Sequence, residues 1–488
     1  MSLEGRKRWL ALYVLCFGDL MIVLDATIVN VALPSIRADL GFSETSLAWV
    51  VNAYLITFGG FLLLGGRLGD LFGHRRLFLI GLTVFTLASL ACGLANSQEL
   101  LVGARVVQGL GGAVVSVVAL SLTMIMFTEP AERAKAMGIF GFVLSGGGTA
   151  GVLLGGVLTD LLNWNWIFLV NIPVGVAVVA LSLVLLPAER GPAQGGRLDI
   201  AGAVTVTGSL MVAVYAIVNG NETGWTSAET LGLLAAAVAL LFLFLGIETR
   251  ARSPLIPLRI FRLRNVSTAN GVGILMAGGM FAAFFLSALY LQQVLGYTPL
   301  EVGLAYLPST LIWGAVSFAL SDKLVMRFGI KPPLVVGLSL MAVGILLFAR
   351  APVDGNFLVD VLPGMLLQGL GAGIGFNPIL LAAMSDVEPS EAGLASGVVN
   401  TSFMMGGALG LAVLASLAAS RTDSLLASGD GRLAALTGGY HIGFLVGAIF
   451  AGAAAALGGS LLRAGRPAAA HEGESMGATS AVVEAERT

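Results

Sequence analysis

The sequence predicts an all-α integral membrane protein with fourteen transmembrane helices, built as two six-helix halves with two helices inserted between them. Three observations carry this. First, 57% of the 488 residues are hydrophobic and only 11% charged, whereas soluble chains carry about 25% charged residues. Second, fourteen segments approach the roughly 20 apolar residues that a membrane span requires. Third, the second part of the chain repeats the first at nearly constant spacing.

The spans are expected at 10–32, 46–65, 77–95, 99–119, 137–159, 167–187, 199–219, 230–249, 267–292, 300–320, 333–350, 357–380, 394–418 and 440–462. An even number places both termini on one side, and Arg6-Lys7-Arg8 assigns that side to the cytoplasm of a cell-membrane protein. The 26 Lys and Arg test the count. Only Arg37, Arg350, Arg421 and Arg432 fall on the opposite side, and only Arg105 falls within a span. A missed or extra helix would scramble this sorting. The first span follows a basic stretch without a small-residue cleavage site, so it reads as retained.

The repeat is position-specific. Arg67-Leu68, Phe72-Gly73, Arg75 and Gly81-Leu82 match Lys323-Leu324, Phe328-Gly329, Lys331 and Gly337-Leu338 at an offset of 256. Gln108-Gly109-Leu110-Gly111 matches Gln368-Gly369-Leu370-Gly371 at 260. The expected units are an N-terminal half at 1–187, a linker with inserted helices 7 and 8 at 188–266, a C-terminal half at 267–462, and a disordered cytoplasmic tail at 463–488. Paired six-helix halves are a transporter architecture, with the substrate site near the membrane midplane between them.

Composition excludes several classes. Cys16 and Cys92 both lie in apolar segments, so no disulfide framework is indicated. His74, His441 and His471 are scattered, so no metal cluster is expected. There is no P-loop or dinucleotide fingerprint, no cofactor is expected, and nothing suggests a nucleic-acid partner. A membrane-embedded enzyme would need a cluster of His, Asp or Ser that the chain lacks.

The densest signal is Gly65-Gly66-Arg67-Leu68-Gly69-Asp70-Leu71-Phe72-Gly73-His74-Arg75-Arg76 between spans 2 and 3. Its arginines alone would suit any cytoplasmic loop. Four glycines and one acid in fixed register are more specific, and they nominate Gly66, Arg67, Gly69, Asp70, Gly73, Arg75 and Arg76 as a conformational switch. Asp70 is a single acid among cations and needs a partner.

Charges inside spans are costly and nominate a functional site. Asp25 in span 1 and Arg105 in span 4 lie at similar depth, so an electrostatic link between them is a candidate for proton coupling. Asp25 could instead be solvated near the outer interface, since Asn30 and Pro34 suggest that the helix ends soon after. Asp19 lies six residues earlier, about 120° around the helix, and is the weaker candidate. The repeat replaces Arg105 by Met365 and Asp70 by Met326, so these charges belong to the first half. In span 5, Gly147, Gly151 and Gly155 form a small-residue stripe with Gly156 beside it, expected to pack across the two halves. Asn30, Asn52, Gln108 and Asn400 are the candidate polar groups of the substrate cavity.

Together these residues resemble the fourteen-helix drug/proton antiporter branch of the major facilitator superfamily, from about residue 10 to 462. Residues 24–34 resemble that branch's span 1 signature, and 65–76 its loop signature, which implies that Asp70 meets the start of span 13, where Ser390 would cap the helix. Arg105-Val106-Val107-Gln108-Gly109 resembles the span 4 signature linked to proton coupling, and 147–156 the span 5 antiporter signature. The chain has Gly151-Val152 where the family usually has Gly-Pro, and Phe403 where related sequences often carry a basic residue. The resemblance implies an exporter of lipophilic small molecules in the lipid bilayer, expected as a monomer, with protons as coupling ion and alternating access. Asp19 and Asp25 against the one Arg105 predict a cationic or neutral cargo. An uptake carrier of the same fold for a polar metabolite is the runner-up. It would need more polar groups in the cavity than the spans supply.

Overall fold

The structure is a computed structural model that describes residues 3–186, 199–251, 254–388 and 391–463. The start of the expected linker unit, residues 188–198, and the expected disordered tail beyond residue 463 lie outside the described residues. Every regular element described is helical, and fourteen helices are long. They are α1 (Leu3–Leu40), α2 (Trp49–Phe72), α3 (His74–Gly93), α4 (Gln98–Met126), α5 (Pro130–Leu161) and α6 (Trp166–Leu185). The inserted pair is α7 (Ile200–Thr223) and α8 (Ala228–Arg250). Then come α9 (Arg264–Leu289), α10 (Pro299–Ala319), α11 (Lys331–Phe348), α12 (Leu362–Met384), α13 (Ala392–Ala427) and α14 (Arg432–Leu461). The order matches the expected spans one for one. The end of the bundle where α1 begins is called the near end below, and the opposite one the far end.

Helix starts follow local chemistry. Ser97 caps α4 by accepting from Leu100 N–H at 3.2 Å, and Ser227 caps α8 from Thr230 N–H at 3.1 Å. Thr298 and Glu301 form a reciprocal capping box ahead of Pro299. The helices outrun the apolar windows. In particular α1 does not end near Pro34 but continues to Leu40 with that proline inside it. Asp25 is therefore about 22 Å of helix from the far terminus, at 1.5 Å per residue.

The duplication is visible in the packing. A Cβ on Gly81 of α3 would lie 3.2 Å from Gly111 O of α4, and one on Gly337 of α11 would lie 2.7 Å from Gly371 O of α12. These pairs occupy equivalent positions in the repeat. Likewise Gly109 abuts α2 at Tyr54 O, and Gly369 abuts α10 at Ser309 O. Small residues let the backbones approach this closely where lipid supplies no hydrophobic drive between helices.

The span 5 stripe is corrected by the structure. Gly147 packs on Leu20 and Val23, Gly151 on Leu24 O and Thr27, and Gly155 on Ile28 O, all on α1 of the same half. Gly156 alone of the four reaches the other half, where a Cβ would stand 2.7 Å from Pro299 O of α10. The stripe at spacing four fits one neighbour, and the residue beside it faces about 100° away. The inserted helix α7 docks on both α2 and α13. Gly60 of α2 meets Thr207, while Asn221 donates to Ser416 O at 2.8 Å.

Candidate functional site

Asp25 is 1% exposed and Arg105 is completely buried. Their depth in α1 and α4 brings them together, and Arg105 Nη1 donates to Asp25 Oδ2. The other carboxylate oxygen, Oδ1, accepts from Gln108 Nε2 at 2.7 Å and from Asn171 Nδ2 at 3.1 Å. Gln108 Oε1 in turn accepts from Arg105 Nη1 at 2.7 Å, and its amide nitrogen donates to Ser89 Oγ at 2.8 Å. Arg105 Nε donates to Val50 O at 2.9 Å, and its guanidinium lies 4.3 Å from the Tyr54 ring centroid. Five helices of one half thus meet at a single ion pair: α1, α2, α3, α4 and α6.

The spacing within α4 explains part of this. Residues 105 and 108 stand one helical turn apart on one face. The expected solvation of Asp25 near an outer interface is overturned by its burial. Each of the three polar groups on Asp25, Arg105, Gln108 and Asn171, donates to it, and an ionised carboxylate accepts only. The geometry therefore fits the charged form of Asp25 paired with Arg105. Burying such a pair is costly unless its remaining lone pairs and protons are satisfied, and here the amides and Val50 O satisfy them. Ser89 and Asn171 were not singled out from the sequence. Single hydroxyls and amides in spans carry little signal, although Asn171-Ile172-Pro173 is a polar break in an apolar run.

Asp19 does not join this network. It is 2% exposed and accepts from the Ser116 hydroxyl of α4, two turns nearer the near end. The four residues nominated for the cavity separate. Gln108 belongs to the buried network. Asn30 donates to Ala26 O and Thr27 O of its own helix, and Asn400 donates to Ser396 O. Asn52 is fully buried on the α2 stripe that faces α13, and neither its amide oxygen nor its nitrogen has a hydrogen-bond partner.

Among the described residues, the side-chain hydrogen bonds between the two halves gather at the far end. Gln292 Nε2 donates to Val31 O at 2.8 Å, and Arg37 Nη1 donates to Gln293 Oε1 at 3.2 Å and to Glu44 Oε1 at 3.0 Å. Both glutamines sit in a π-helical turn, Tyr290–Val294, that extends α9. With Gly156 against α10, these contacts close the far end around residues 31–37 and 292–300.

The loop signature turns out to be mostly helix. α2 runs through to Phe72, and Gly73 alone, at φ +90°, separates it from α3. Gly329, its repeat partner, has φ +79°. Gly66 and Gly69 let α2 approach Val117 and Val118 of α4. Arg75 donates to Leu183 O at the end of α6, and Arg76 is exposed. The side chains of Arg67 and Asp70, and Ser390 with them, lie outside the described residues, as does the expected contact between Asp70 and the start of α13.

Residues 15–411 match the Major Facilitator Superfamily profile. The chain is 39% identical to the puromycin resistance protein pur8 of Streptomyces alboniger, across 91% of this chain and 88% of that protein. It is 38% identical to the cephamycin export protein CmcT of Amycolatopsis lactamdurans, across 85% of each. A bacterial homolog of the human lysosomal transporter Spinster, solved in an inward-facing, unoccupied conformation, superposes with a TM-score of 0.66 at 18% identity. That superposition covers 94% of this chain and 97% of the other.

Proposed function

The chain belongs to the Major Facilitator Superfamily, in its drug-exporter branch, and on that premise we propose that it exports lipophilic antibiotics or drugs in exchange for protons. It is a transporter, not an enzyme, and a multi-pass protein of the cell membrane. Its sequence relatives include a puromycin resistance protein and a cephamycin export protein, which supports small-molecule efflux. The single observation that carries proton exchange is the buried Asp25–Arg105 pair, held by fixed donors beneath a closed far end. On this reading the near end and both termini are cytoplasmic, and the protein works as a monomer.

In the conformation described, Asp25 is charged and Arg105 neutralises it. When the far end opens, α1 shifts against α4 within the N-terminal half, the pair separates and Asp25 takes a proton from outside. When the near end opens again, Arg105 returns, and the proton leaves to the cytoplasm. Burial disfavours the ionised carboxylate and the guanidinium favours it, so moving one group switches proton affinity. Asp19, to which no cation among the described residues is bonded, is the acid left to attract a cationic or neutral amphipathic cargo. Only differential interaction with the two states links cargo to proton.

The test is growth of cells with and without the chain across a panel of toxic compounds, with a protonophore arm. Tolerance of lipophilic cations and neutrals, lost on collapse of the proton gradient, is the expected result. Tolerance confined to anionic compounds, or unaffected by the protonophore, would contradict it.

A further inference from the structure

At the near end the inserted pair closes on itself through two acids. Asp199 caps α7, its Oδ1 accepting from Gly202 N–H at 2.7 Å. Glu248, in the last turn of α8, is only 4% exposed, and its Oε2 accepts from Ile256 N–H at 3.2 Å. The second oxygen of each residue is buried without a hydrogen-bond partner: Asp199 Oδ2 and Glu248 Oε1. They converge on one space. A Cβ placed on Gly202 would stand 2.7 Å from the first and 2.9 Å from the second. The same helices carry a buried apolar cluster of Leu64 of α2, Ala203 and Val206 of α7, Phe244 of α8, Ile256, and Val398 of α13. Among the described residues, the one charged group acting on Glu248 from these elements is Asp199.

We propose that Asp199 and Glu248 hold one proton between them, as an acid–carboxylate pair that forms a proton-binding site separate from Asp25. Two ionised carboxylates in one apolar space repel, and a shared proton removes that repulsion. It also turns two orphan acceptors into a donor and an acceptor, which satisfies both. A divalent cation is a poor fit, because calcium and magnesium take six or more oxygens. Among the described residues no group of three or more His, Cys, Asp or Glu could hold a metal. The pair joins the start of α7 to the end of α8 and, through Ile256, reaches Val398 of α13. Proton occupancy thus bears on the contact between the inserted pair and the second half.

The experiment is infrared pH-difference spectroscopy on the full chain in lipid vesicles, reading the absorbance of protonated carboxyls. Expected is a component that survives in Asp25→Asn and is lost in both Glu248→Gln and Asp199→Asn. In Glu248→Gln the amide can donate to Asp199, so this variant retains the packing. Gly202→Ala, which pushes a methyl toward both oxygens, is expected to shift the same component. A component unchanged in all three variants at this site, or lost in Asp25→Asn alone, would overturn the proposal. Failure of drug export in the growth panel would leave this spectrum unaffected, so the two readings fail separately.

Discussion

Gln108 and Asn30 are both amides inside long helices, and the structure gives them unequal work. Gln108 bonds Arg105, Asp25 and Ser89 at once, whereas Asn30 bonds only carbonyls of its own helix. Gln108→Leu should leave several buried groups unsatisfied and cost about 1–3 kcal/mol, while Asn30→Leu should cost less. Thermal melting of the purified variants in detergent compares them. Equal melting temperatures would mean that the network does not hold the half together. Arg105→Ala strips the charge partner from Asp25 and should cost about 3–5 kcal/mol. The ion pair itself was legible, because charges inside spans are rare enough to stand out. Its neutral partners Ser89 and Asn171 were not, since a hydroxyl or amide in a span usually bonds its own backbone. Thr57, Thr86 and Ser121 do so here.

Glycines decide how the helices meet, and their positions were easier to read than their partners. The stripe in α5 was legible as a packing face, but a period of four says nothing about which helix lies opposite. α1 took that place, and the neighbouring Gly156 faced the other half. Gly155→Val would drive a side chain into Ile28 O of α1 and should cost about 1–3 kcal/mol by overpacking. Gly156→Val should instead part α5 from α10 and favour opening of the far end. Gly73 and Gly329 make a second kind of demand. Both have positive φ at the joints that follow α2 and the short helix Ser321–Phe328. Gly73→Ala or Gly329→Ala should therefore lower stability by about 1–3 kcal/mol. Gly103, inside α4 with nothing near a would-be Cβ, is the control, and Gly103→Ala should gain up to about 1 kcal/mol. Matching losses in all three would remove the argument from backbone conformation.

For the molecule as a whole, number and order of helices were legible because basic residues, apolar windows and the internal repeat agree with one another. What the linear pattern did not contain was the closure of one end. Gln292 and Gln293 sit in a π-helical turn whose contacts with Val31 and Arg37 form only when the halves come together. Joining cysteines at positions 37 and 293 with a short bis-maleimide should therefore hold the far end shut and stop export, while either single cysteine transports normally. Native Cys16 and Cys92 are buried and do not interfere. Opening and closing of the far end must also shift α1 against α4, making and breaking the Asp25–Arg105 pair, if protons drive the cycle. The most direct measurement is drug-induced proton movement in proteoliposomes holding wild type, Asp25→Asn or Asp25→Glu, at matched protein content. Proton movement should vanish in Asp25→Asn and persist in part in Asp25→Glu. Normal proton-coupled export by Asp25→Asn would contradict the assignment and turn attention to Asp19.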